Sequence, residues 1–150
     1  MNLIIEVILW STFATVLSTG ISIGIVWMLH LPPGRLAHEI EDTQNTAVGA
    51  VFFIVSLIVS QYTGIMSGDG YDPVDSVGEN LLWIAGGVVL ASVFTLIAWF
   101  IAHILLKPIP GEGLYGYLRR EIVDEQNAAL AFFFGGLAVA PFVATMYQII

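Results

Sequence analysis

Apolar positions fall into four long runs: 3–28, broken only by Glu6; 46–66, without a charge; 81–106, with His103 near its end; and 128–150. Crossing the hydrocarbon core takes about 20 helical residues, and each run is at least that long. In lipid only helices and closed barrels satisfy their own backbone. The runs are continuous rather than alternating, so they predict helices. The expected fold class is an all-α membrane protein with four transmembrane helices, in which 1–150 form a single transmembrane domain. The first run has no basic segment before it and exceeds the roughly 7–15 apolar residues of a cleaved signal. It is therefore read as a helix of the mature chain.

Charge orients the four spans. Arg35 lies in the first connection, and Lys107, Arg119 and Arg120 lie in the third; there is no other Lys or Arg. The positive-inside rule then predicts that both connections are cytoplasmic, with both termini and the acidic segment 67–80 outside. Trp10 and Trp83 fall near the outer ends of their runs and Trp27 and Trp99 near the inner ends, as interfacial tryptophans do.

Composition narrows the function classes. Apolar residues make up 57% of the chain and charged residues 11%, and the net charge is −8. That balance excludes a nucleic-acid binder, which needs cations against phosphate. The predicted partner is the lipid bilayer. With no cysteine there is no disulfide or thiolate chemistry.

The chain also matches itself. Glu6-Val-Ile-Leu-Trp10 aligns with Glu79-Asn-Leu-Leu-Trp83, and His30 aligns with His103, at an offset of 73. Glu39-Ile-Glu-Asp-Thr-Gln-Asn45 aligns with Glu121-Ile-Val-Asp-Glu-Gln-Asn127 at an offset of 82, with five identities in seven positions. The halves run from about 3 to 66 and from about 76 to 150. Each holds two spans, an even number. The repeats are thus expected to be parallel, related by an axis along the membrane normal.

The doubled Gln44-Asn45-Thr46-Ala47 and Gln126-Asn127-Ala128-Ala129, each opening an apolar run, resemble the bacterial membrane family called domain of unknown function 350. That family pairs two-helix units carrying an Asn-Thr/Ala-Ala motif. The second copy departs from the motif at Ala128, and Pro141 stands in its helix where the first copy has Val59. The resemblance covers nearly the whole chain. It implies a fold and a bacterial inner-membrane location, and it transfers no catalytic residue.

Several residue sets could carry function. Asp42, Gln44, Asn45 and their counterparts Asp124, Gln126 and Asn127 sit where the second and fourth spans begin. There they could cap helix N-termini, or meet around the repeat axis as a polar gate or docking surface. If capping is their whole role, Asp replaces either Asn mildly. Glu6 and Glu79 could cap the outer helix starts or form an outer mouth that attracts cations. His30 and His103 lack the further ligands zinc requires, and no metal or cofactor is expected. The outer acids Asp69, Asp72 and Asp75 lack the spacing of a calcium-binding loop. Small and hydroxyl residues recur at helical spacing, including Gly20, Gly24, Ser56, Ser60, Gly87 and Gly135. Such stripes let helices approach closely. No acid, base or nucleophile lies mid-span, so no enzyme is expected. The leading expectation is a non-enzymatic subunit that forms a homo-oligomer or joins other membrane subunits. A small cation channel or transporter is the alternative.

Overall fold

The computed structural model describes residues 3–67, 77–106 and 108–149, all of whose regular structure is helical. Four long helices fit the apolar runs: α1 (Leu3–Met28), α3 (Thr46–Ser67), α4 (Val77–Leu105) and α6 (Ala128–Ile149). Each is long and apolar enough to cross a membrane. Helix α4 starts four residues ahead of its apolar run, because polar Glu79 and Asn80 do not interrupt helical geometry.

Two short helices were not legible as such. Helix α2 (Pro33–Glu41) fills the first connection, and α5 (Leu114–Arg119) fills the third and runs into a π-helical turn, Arg120–Asp124. Pro33 opens α2, where a missing N–H costs nothing and the fixed φ suits a helix. Leu36 is half-buried and Glu39 buried, while Arg35, His38 and Glu41 face outward.

The long helices pack in the order α1–α3–α6–α4. Helices α3 and α6 run parallel in the middle, and α1 and α4 are the outer members. Each seam has its own chemistry. Between α1 and α3, the buried Ser22 hydroxyl bonds the Ser56 hydroxyl at 2.8 Å. Between α3 and α6, glycine permits the close approach: a Cβ on Gly135 would collide with Ile54 Cδ1 and stand 3.1 Å from both Ile54 Cγ atoms. Between α4 and α6, the Trp99 indole N–H donates to the Phe134 carbonyl at 2.8 Å. Trp99 thus also joins two helices, whatever its level in the bilayer.

The tightest packing lies at one end. Val26, Leu31, Ala47, Val48, Tyr117 and Ile122 belong to one buried cluster where the two connections meet. The Tyr115 hydroxyl donates to the Met28 carbonyl at 2.6 Å and bonds His30 Nδ1 at 2.7 Å. Its single proton goes to the carbonyl, so His30 donates from Nδ1. Away from this connection end, large apolar side chains such as Leu9, Phe13, Val89 and Leu90 point outward, as lipid-facing residues do.

Candidate functional site: a doubled glutamate–asparagine clamp

The Gln-Asn segments fold in the same way in both halves. After α2 the chain reverses through Gln44 at φ 55°, and after the π-helical turn it reverses through Gln126 at φ 54°. A non-glycine residue in the left-handed region costs about 1 kcal/mol, so each reversal needs bonds to hold it. The Asn45 N–H donates to the Glu39 carbonyl at 2.8 Å, and the Asn127 N–H to the Glu121 carbonyl at 2.7 Å. The side chains repeat the link, with Asn45 Nδ2 on Glu39 Oε2 at 3.1 Å and Asn127 Nδ2 on Glu121 Oε2 at 2.8 Å.

The other end of each amide caps the next helix. Asn45 Oδ1 accepts from the Ala47 and Val48 N–H groups at 3.1 and 3.2 Å. Asn127 Oδ1 accepts from the Leu130 N–H at 3.1 Å. Capping is therefore one part of a larger device. Each asparagine ties a glutamate six residues back to the helix it opens.

The two copies are not equal. Asn45 is 1% exposed, and its Nδ2 also reaches across to the Ile122 and Val123 carbonyls at 3.2 and 3.4 Å. Asn127 is half-buried, and its Nδ2 bonds Glu121 alone among the described partners. Asn45 thus bonds the backbone of the second segment, and no hydrogen bond joins it to Asn127. Glu39 and Glu121 are both buried. Neither stood among the candidates read from sequence, although each opens the seven-residue match. A charged residue in a polar segment reads as solvent-facing, and only the fold turns these two inward.

Arg120 neutralises the second copy. Its guanidinium bonds Glu112 at 3.0 and 3.1 Å, Glu121 at 3.0 Å, and Glu125. It also lies 5.6 Å from the centre of the Tyr117 ring. The hydrogen bond from Arg120 holds the Glu112 carboxyl below its ordinary 4.5. Burial, with Glu121 second, pushes the Tyr117 phenol up. The sign for stability follows. Glu112 contributes fully above about pH 4.5, and the contribution fades as pH falls through its lowered folded value. The melting-temperature gap between the native chain and Glu112→Gln is expected to be wide at pH 7 and to close towards pH 3. A gap independent of pH would refute the pairing.

The remaining candidates are scattered. Asp42 is exposed and pairs with His38 at 2.6 Å, and Asp124 is exposed. Neither caps a following helix. Gln44 and Gln126 supply the left-handed reversal. The side chains of Glu6 and Glu79 lie outside the described ones, as do residues 69, 72 and 75. His103 is buried, with Nε2 on the Glu112 carbonyl at 3.1 Å and its ring against Tyr117. Ser60 bonds the Leu57 carbonyl of its own helix. Gly87 is buried. Gly20 and Gly24 differ from Gly135, because a Cβ at either would meet nothing within 4 Å. The chain matches no family model, no curated protein and no solved structure.

Proposed function

We propose that the chain is a non-enzymatic subunit of the bacterial inner membrane that associates laterally with copies of itself or with other membrane subunits. The observation that carries this reading is the free side of α1. Among the long helices this outer helix packs chiefly on α3, and a Cβ at Gly20 or Gly24 would meet nothing within 4 Å. Small residues four apart in a span are suited to close helix–helix approach. The matching clamps support two parallel repeats, in keeping with the resemblance to domain of unknown function 350. The cations in the two connections support cytoplasmic connections with both termini outside. A single cysteine at Gly113 should then label only from the cytoplasmic side.

Bulk at the free glycines separates assembly from folding. In Gly20→Leu/Gly24→Leu the monomer is expected to keep its melting temperature, since a Cβ at either position points into open space. Native mass measurement in detergent should show the assembly lost. An unchanged assembly would remove the α1 reading. Cation flux in liposomes, lost in Glu79→Gln, would favour transport instead.

A further inference from the structure

The hydroxyls of the long helices mostly find acceptors within the protein. Thr15 donates to the Ser11 carbonyl, Thr63 to Val59 and Ser92 to Val88 at 2.7–2.8 Å, and Ser22 and Ser56 bond each other. Thr95 does not follow them. Its side chain is 6% exposed, yet its Oγ1 meets no partner among the described residues. A threonine in a helix ordinarily bonds back to the preceding turn. Here the hydroxyl is buried on α4, within the seam to α6.

A carbonyl has lost its donor at the same depth. Pro141 lies inside α6, and without an N–H it cannot serve the Leu137 carbonyl four residues back. The bond from Trp99 to Phe134 sets the register of the antiparallel α4 and α6. Moving away from the connection end, Thr95 lies about 6 Å beyond Trp99 and Leu137 about 4.5 Å beyond Phe134 along their axes. Small Ala91 and Ala138 are buried beside them. This position is flanked by one unmet hydroxyl and by a carbonyl that the proline deprives of its usual helical donor, deep within apolar spans.

We infer that the α4–α6 seam binds a single ordered water between the Thr95 hydroxyl and the Leu137 carbonyl. The hydroxyl donates to the water oxygen, and one water hydrogen goes to the carbonyl. Leaving both groups dry in hydrocarbon is unfavourable, and a water with polar partners on both sides is the usual remedy. The site is independent of lateral assembly, since both residues lie within one chain.

The sign of one substitution tests it. Thr95→Val keeps the shape and removes the hydroxyl. If Thr95 is dry, losing an unmet polar group raises the melting temperature. If it holds a water, the variant strands the Leu137 carbonyl and melts lower by about 3 °C. Pro141→Ala supplies the missing N–H, and in that background Thr95→Val should lose its penalty. Hydroxyl-radical footprinting with radicals generated by X-rays from bound water reads the native chain directly in lipid nanodiscs. Leu137 and Pro141 should be labelled several-fold above the lipid-facing Val89 and Leu90. Labelling at the lipid-facing level, or a rise or no change in melting temperature for Thr95→Val, would overturn the inference.

Discussion

Asn45→Asp is expected to be the most damaging single substitution in this protein, although aspartate is as good a helix cap as asparagine. Aspartate can still accept from the Ala47 and Val48 N–H groups. It cannot donate to Glu39, and it places a second carboxylate where Nδ2 now stands 3.1 Å from Glu39 Oε2. It also withdraws the donor from the Ile122 and Val123 carbonyls. Each buried polar group left without its partner costs about 1–3 kcal/mol, so a total loss of about 3 kcal/mol or more follows. Like charges at that range resist joint ionisation. The variant should therefore regain stability as the pH is lowered from 8 to 5, when one carboxyl takes a proton and donates to the other. Asn127→Asp should be milder, because Asn127 is half-buried and Arg120 already neutralises Glu121. Melting curves of both variants across that pH range decide the matter. Equal, pH-independent losses would reduce the clamps to ordinary caps.

The second large effect is expected at Gly135. Alanine there would drive a methyl into Ile54 Cδ1 and bring it to 3.1 Å from both Cγ atoms. The Cδ1 end can turn about χ2, but χ1 of isoleucine is stiff and Ile54 is buried, so the two Cγ atoms, and the seam with them, must give by a few tenths of an ångström. Overpacking of this kind costs about 1–3 kcal/mol, against a gain of about 0.5–1 kcal/mol from replacing a helical glycine. The net expectation is a loss of about 1–2 kcal/mol. Ile54→Val deletes the colliding Cδ1, so the double variant should recover most of the loss. That non-additivity is well above the roughly 0.5 kcal/mol within which independent sites sum. Simple additivity would mean that the seam is looser than Gly135 implies. Alanine at Gly136, where a Cβ meets nothing within 4 Å, is the matched control.

The four long helices were legible because lipid imposes a continuous apolar requirement that sequence displays without reference to tertiary contacts. The short helices were not. Helix α2 carries only Leu36 and Ile40 as large apolar residues after its opening Pro33, too few for a periodic signal, and it forms by docking Glu39 inward. The candidate site was half legible. Asn45 and Asn127 stood out through their repetition, but their glutamate partners did not, because six residues separate donor from acceptor and a left-handed glutamine closes the gap. Nothing in the sequence foretold that Asn45 would cross to the Ile122 carbonyl while Asn127 keeps to its own segment. That difference depends on the π-helical turn and on Arg120, which the first copy lacks.

The packing order carries one more consequence. With α1 and α4 each seated on a single long neighbour, the chain has two ends and no enclosed centre. A row of this kind can grow by adding its like at either end, and a row that curves as it grows can close on itself. Any aqueous lumen would then be a property of the closed ring, with its bore set by the number of copies rather than by the helices of one chain.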